Sequence, residues 1–241
     1  MKVSVVVPAF NEQKLIRQTL RKIKEACGGL DELGWETELI VCDNNSSDST
    51  AALAREEGAR VVFEPINQIS RARNAGALAA TGDWLIFVDA DSQPSPELFR
   101  DVAAAISSGR YIAGGSTVAL DAYTRGSRLL VRSWNALSRV ARLMAGSFIF
   151  YERAAFQAVG GFSRDLYAKE EIDLSQKLKR FGRKHRKKLI ILKRHPLLTS
   201  SRKMRLYTRG ELLSFFIRNA FSGGKDLKSA ESCFPWYDGR R

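Results

Sequence analysis

The chain has 241 residues, 44% of them hydrophobic, and a formal net charge of +13. The apolar fraction is ordinary for a globular protein and allows one large domain with a real core, while the positive excess points to anionic partners: nucleotides, phosphates, anionic lipid or nucleic acid. No apolar run approaches the ~20 residues of a membrane span, and Cys27, Cys42 and Cys233 have no metal-ligand spacing, so they read as reduced thiols of a cytosolic chain with no signal peptide before its first strand.

Val3-Ser4-Val5-Val6-Val7 is a β-branched strand ended by Pro8. Leu15, Ile16, Leu20 and Ile23 repeat at helical spacing, and Gly28-Gly29 is expected to stop that helix. Glu38 to Cys42 is a second strand, closed by the polar run Asp43-Asn44-Asn45-Ser46-Ser47, and a short helix from about Asp48 to Glu57 ends at Gly58. Arg60 to Phe63 is a third strand, and Ser70 to Ala80 an alanine-rich helix. Trp84-Leu85-Ile86-Phe87-Val88 is a continuous apolar run and so a strand buried on both faces. Ser95-Pro96-Glu97 starts a helix that runs to about Ser107. This alternation predicts an α/β fold, a mostly parallel central sheet with helices on both faces and a Rossmann-like nucleotide half.

Past residue 110 the pattern changes. Tyr111 to Leu120 reads as a strand, and Arg125 to Met144 as a helix with Leu129, Leu130, Trp134, Leu137, Val140 and Leu143 near one stripe and four arginines interleaved. A strand from Gly146 to Tyr151, a short helix from Ala154 to Val159, a helix from near Glu170 to Phe181, and a basic-flanked strand from Lys187 to Arg194 follow. Glu211 to Phe221 is a last amphipathic helix before a tail that ends Trp236-Tyr237-Asp238-Gly239-Arg240-Arg241. One continuous domain is expected, with a nucleotide half over 1–110, an acceptor half over 111–205 and a C-terminal helix and tail over 206–241.

The chemistry gathers at the strand ends. Asp89 and Asp91 follow the fourth strand at i, i+2, and in extended backbone such residues point to one side. Two carboxylates there converge at the carboxyl end of a central strand, where open α/β sheets bind ligands. Their repulsion is relieved by a hard divalent cation. The first strand delivers Pro8-Ala9-Phe10-Asn11-Glu12 and the second Asp43. Ser70-Arg71-Ala72-Arg73 places arginines in the first turn of a helix, against its macrodipole, where an anion would compensate them.

Val5-Val6-Val7-Pro8-Ala9-Phe10-Asn11-Glu12, Asp43-Asn44-Asn45-Ser46-Ser47-Asp48, Ala72-Arg73-Asn74-Ala75-Gly76, Phe87-Val88-Asp89-Ala90-Asp91, Gly160-Gly161-Phe162 and Glu170-Glu171-Ile172-Asp173-Leu174 form an ordered series. The series resembles the signature of the family 2 glycosyltransferases, from about residue 2 to residue 205. The resemblance implies the glycosyltransferase A fold, a nucleotide-diphosphate-sugar donor, a divalent cation (Mn2+ or Mg2+) and inversion at the sugar carbon. It assigns Pro8, Ala9 and Glu12 to the base and ribose, and Asp43 to a hydrogen bond from the base. Arg73 would face the nucleotide, Asp89 the ribose and donor sugar. Asp91 would ligate the metal, with His195 as a further ligand, and Arg202 would reach the diphosphate. The acceptor, a glycan or lipid-linked, needs a carboxylate base for its hydroxyl. By motif register that base is Glu171, with Glu170 as the alternative, because the family often has Asp where this chain has Glu171. Asp173 is read as a helix-start carboxylate.

The resemblance places the enzyme in the cytoplasm, in cell-envelope polysaccharide synthesis, with attachment to the inner membrane face left open. The basic helix around Trp134 is read either as packed over the acceptor cleft or as lying on an anionic membrane surface, which would suit a lipid-linked acceptor. Two other readings carry less. A sugar-nucleotide nucleotidylyltransferase would open with a glycine-rich basic loop, and Pro8-Ala9-Phe10-Asn11-Glu12 has neither glycine nor base. A nucleic-acid-binding protein would answer to the charge, but no recognised module supports it and no nucleic acid is expected.

Overall fold

A computed structural model describes residues 1–123, 125–144 and 146–202, together with Glu231 and Cys233. The expected helix from Glu211 to Phe221 and the tail from Trp236 lie outside the described residues.

The first half alternates as its sequence pattern requires: β1 (Lys2–Ala9), α1 (Ile16–Asp31), β2 (Glu36–Asp43), α2 (Thr50–Glu56), β3 (Arg60–Phe63), α3 (Ile69–Ala79) and β4 (Trp84–Val88). A two-residue strand, β5 (Ser92–Gln93), precedes α4 (Pro96–Ser107), whose first turn is capped by the Ser95 hydroxyl accepting from the Leu98 N–H at 3.2 Å. Then come β6 (Tyr111–Leu120), α5 (Arg125–Ala141), β7 (Phe148–Glu152), α6 (Arg153–Ala158), α7 (Glu170–Lys184) and β8 (Lys188–Thr199).

The strands form one sheet in the order β3-β2-β1-β4-β7-β6-β8-β5. Pairing is parallel among β3, β2, β1 and β4 and between β6 and β8, while β7 runs antiparallel between β4 and β6. Side-chain alternation splits the core between the two faces. Val3, Val5 and Val7 of β1 with Trp84, Ile86 and Val88 of β4 pack towards α1 and α4. Val6, Leu85 and Phe87 join Phe156, Phe162, Leu174 and Leu178 on the other side. Cys27 and Cys42 are free and buried, and burial pushes their thiols up to about 11 and about 12.

Three local expectations are corrected. Helix α1 does not stop at Gly28-Gly29 but continues to Asp31. A Cβ on Gly29 would lie 2.6 Å from the Pro96 carbonyl oxygen. The glycine therefore serves a close crossing of α1 over the start of α4, and tertiary contact offsets its poor helix propensity. Strand β8 passes through Pro196, because its pairing with β6 slips between Ser116/Leu192 and Val118/Leu197. The extra residues sit in that irregularity, where a missing N–H costs no ladder bond. Trp134 does not share the stripe of Leu129 and Val140: it is half-buried while those two are exposed.

Candidate active site

The loops after β1 and β2 are stitched together by side chains that the polar sequence there supplies. Pro8 and Ala9 end β1 opposite Cys42 and Asp43, past the last β1 residue paired with β4, so the missing Pro8 N–H leaves the β4 pairing intact. The Asn44 N–H donates to the Ala9 carbonyl at 2.8 Å. Asn11, in the left-handed region at φ 51°, accepts from the Ser47 N–H at 2.8 Å. The Glu12 N–H donates to the Thr50 hydroxyl at 2.8 Å. Asp43 is buried and accepts from the Ser46 N–H at 3.2 Å, so it braces the loop rather than capping α2. Asn44 in turn holds the Ile66 carbonyl (2.6 Å) and the Gln68 N–H (2.9 Å), which sets the start of α3.

The two aspartates after β4 do not share an extended backbone, a correction to the i, i+2 argument. The chain turns at once, with the Ser92 N–H donating to the Asp89 carbonyl at 3.0 Å. Each carboxylate consequently meets a different arginine. Asp89 accepts from Arg73 at 3.1 Å. Asp91 lies 3.9 Å from Arg202, which donates to both Glu12 oxygens at 2.7 and 2.9 Å. Strand β8 makes this possible: it ends at Thr199, pairs with Ser92 and carries the Ser200 N–H to the Asp91 carbonyl at 3.2 Å. Glu12, Asp91 and Arg202, separated by up to 190 residues, thus share one spot at the carboxyl ends of the strands.

A divalent cation fits this spot on the chemistry of its donors. Magnesium and manganese favour oxygen, and one or two carboxylates plus substrate phosphates is a usual set. Asp91 offers such a carboxylate, faced by a cation already, the Arg202 guanidinium. Among the described residues no three His, Cys, Asp or Glu side chains are grouped to hold an ion by themselves, so the substrate diphosphate would complete the shell. His195 is not brought to Asp91. It lies in the irregular stretch of β8, and its Nδ1 contacts Asp101 of α4 at 3.0 Å.

The second cluster is built around Arg73, 2% exposed on α3. Its guanidinium donates to Glu170 at 2.6 Å and to the Gly146 carbonyl at 2.9 Å, as well as to Asp89, and lies 5.3 Å from the Phe162 ring centre. Because β7 is antiparallel, the residues that precede it, Gly146 and Ser147, arrive beside the end of β4, where the Asp89 N–H donates to the Ser147 carbonyl at 3.1 Å. A Cβ on Gly146 would sit 2.9 Å from an Arg73 nitrogen and 3.4 Å from Glu171 Oε1, so the glycine makes room for both. Glu170 and Glu171 open α7 behind Lys169, itself left-handed at φ 62°. Burial first, then the neighbouring Glu170 carboxylate, push the Glu171 carboxyl well above the usual carboxylate range. Asp173 pairs with Lys177 at 2.8 Å, one turn along α7. Arg73, Asp89, Gly146, Ser147, Glu170 and Glu171 line a cavity of about 180 Å³.

Sequence reasoning missed Gln68 and Tyr151. Gln68 is buried, and its amide donates to the Arg164 and Leu166 carbonyls at 2.8 and 3.0 Å, tying the loop before α7 to α3. Tyr151 is fully buried beside the Arg73 cluster, with a hydroxyl that has no hydrogen-bond partner among the described residues. Neither stands in a motif, and only their neighbours in space mark them.

This arrangement, a Rossmann-like half with loops at the strand ends and two carboxylate–arginine clusters, is a glycosyltransferase A fold. The profile of the family described as glycosyl transferase family 2 matches residues 4–160, and the chain belongs to that family. Among curated proteins it is 33% identical, over 120 residues, to an undecaprenyl-phosphate 4-deoxy-4-formamido-L-arabinose transferase of Enterobacter sp. (strain 638), a match covering 47% of this chain and 36% of the relative. The namesake from Klebsiella pneumoniae subsp. pneumoniae is 36% identical over the same shares. The chain therefore spans only about a third of the curated relatives it matches. Among solved structures, a mannosyltransferase of Pyrobaculum calidifontis in complex with GDP-Man and Mn2+ superposes with a TM-score of 0.68 at 20% identity, over 98% of this chain and 67% of that one. S. aureus TarS in complex with UDP-GlcNAc gives 0.65 at 19%, over 98% and 78%. These structural likenesses establish the fold.

Proposed function

We propose that the chain moves a sugar from a nucleotide-diphosphate-sugar to an acceptor hydroxyl with inversion at the sugar carbon, assisted by a divalent cation. The β1 and β2 loops, with Pro8, Ala9, Glu12 and Asp43, take the nucleoside. Asp91 holds the cation, which when bound offsets the charge of the departing diphosphate. Arg202 adds a second positive charge at the same place. Relatives in fold are complexed with GDP-Man and Mn2+ or with UDP-GlcNAc, which supports the donor class and the metal.

The observation that carries the reading is Glu171, a desolvated carboxylate with a raised proton affinity, at the wall of a small cavity beside Asp89. In a single displacement the acceptor oxygen bonds to the sugar carbon as the bond to the diphosphate breaks, and the hydroxyl proton passes to Glu171. Glu170 is spoken for by Arg73 at 2.6 Å and acts as that arginine's counter-ion. Asp89 and Glu170 are balanced in this cavity by Arg73 and Lys169, so the preference for a hydroxyl acceptor rests on the base at Glu171. We therefore assign the acceptor to a glycan or a lipid-linked glycan with a free hydroxyl. The undecaprenyl phosphate in the relatives' names supports the lipid-linked class and, with it, work at the cytoplasmic face of a membrane in envelope polysaccharide synthesis.

Single-turnover kinetics at saturating donor test this. Glu171→Gln should lower the rate by ~10²–10⁴-fold, the usual worth of a general base, with donor affinity unchanged. Glu170→Gln should cost less rate and more stability. A Glu171→Gln enzyme of normal rate removes the base and with it the preference for a hydroxyl.

A further inference from the structure

Helix α5 keeps a second apolar face on its outer side. Its inward face is mixed: Ser127 is 6% and Ser138 1% exposed, with Val131 and Trp134 half-buried beside them. Asn135 donates to the Val118 carbonyl at 2.9 Å and accepts the Val118 N–H at 3.0 Å, as an extra strand would. Four further apolar residues point away from the protein. Leu129 is 69%, Leu130 53%, Leu137 52% and Val140 86% exposed. With 3.6 residues per turn these four fall on one arc of the helix. Arg128, Arg132 and Arg139 are exposed along one border of that arc, and the helix contains no acidic residue. A surface helix of a globular protein normally turns charged and polar residues, not four large apolar ones, to solvent. A contiguous exposed apolar face rimmed by cations is an interaction surface.

The charge decides between occupants. A second copy of this helix would set arginine against arginine. Residues 203–230 carry six Lys or Arg against two Asp or Glu, so by sequence that segment is also a poor cover for an arginine border. A polyanion such as nucleic acid would meet the arginines and leave the leucines in water. An anionic lipid surface satisfies both: acyl chains take the apolar arc, and headgroup phosphates take the guanidinium groups.

We propose that α5 is a membrane-docking helix that lies in the interface of an anionic bilayer with Leu129, Leu130, Leu137 and Val140 inserted. The helix ends a few residues before Gly146 of the Arg73 cavity, so docking sets that cavity near the bilayer surface. The docking itself is independent of the transfer chemistry, and its failure would leave that chemistry untouched.

The test is co-sedimentation of the full chain with vesicles of phosphatidylcholine alone or enriched in phosphatidylglycerol, with thermal melts of each variant. The wild-type protein should sediment with the anionic vesicles and not with the neutral ones, and salt should release it. Leu129→Glu with Val140→Glu should abolish sedimentation without shifting the melt, since both side chains face outward. Arg132→Gln and Arg139→Gln should each weaken partition about fivefold, the worth of one basic residue near such a surface. Absence of wild-type sedimentation at low salt overturns the proposal. Undiminished sedimentation of the double glutamate variant does so too, because charge or another segment would then be responsible. A wild-type dimer that the same variant breaks would assign the arc to a second copy instead.

Discussion

Arg73 and Arg202 each face two carboxylates in the cleft, but they are held in different ways. Arg73 is 2% exposed, anchored on a helix, and bonded to Glu170, Asp89 and a backbone carbonyl while it lies against Phe162. Arg202 is 17% exposed and comes from the segment just past β8, with one terminal nitrogen shared by both Glu12 oxygens and only long range to Asp91. The first arrangement is pre-organised: its charge is desolvated, and its partners lie on α7, just past β4 and on the approach to β7. The second is a set of exchangeable ion pairs that a diphosphate and a cation could re-form. Under the proposed reading, the fixed charges lie beside the base at Glu171 and the exchangeable ones where the diphosphate would sit.

The largest effect expected from breaking this division is at Asp91. Asp91→Ala should abolish turnover and remove the metal-dependent part of nucleotide-diphosphate affinity, while the melting curve stays near wild type. Calorimetry with and without Mn2+ checks it, and full activity in EDTA would remove Asp91 from the metal site.

Stability separates the two arginines next. Arg73→Met strands Glu170 and Asp89 and should cost about 3–5 kcal/mol, the range for breaking one side of a buried ion pair. Arg202→Ala should cost about 1–3 kcal/mol, that of leaving a partly buried acceptor unmet. Urea denaturation of the two variants measures the gap, and equal losses would erase the distinction.

The smallest effect is a pH dependence. Glu171 is pushed up to about 8 by burial and by Glu170. As a base it works only when ionised, so kcat/KM should climb about tenfold per pH unit below that value and level off above it. Stability runs the other way. The folded chain keeps the Glu171 proton to higher pH than the unfolded chain does, so the stabilisation is complete below the unfolded value near 4.5 and is lost as pH rises through about 8. Glu171→Gln should flatten both profiles, and an unchanged kcat/KM profile in that variant would place the titration elsewhere.

Much of the donor side was legible in the sequence. The β-branched run of β1, the apolar run of β4, the Ser95-Pro96 helix start and the ordered loop residues are local signals, and short-range backbone and side-chain preferences read them correctly. The ends of β1, β2 and β4 followed from them, and with these the placement of Glu12, Asp43 and Asp89. What tertiary structure alone decided has in common that its partners are far apart in the chain. The helix through Gly28-Gly29 depends on Pro96, and the passage of β8 through Pro196 depends on a slip against β6. The separation of Asp89 from Asp91 depends on a turn locked by Ser147 and Ser200, and the pairing of His195 with Asp101 on the packing of α4. The polar seat of α5 depends on Asn135 meeting the Val118 backbone, which no periodicity of apolar residues announces. Residue type and spacing set local conformation, because the energies involved act within a few residues. Which charges meet, and which apolar face is left outside, is set by long-range packing and hydrogen bonds, which leave no periodic trace in the sequence.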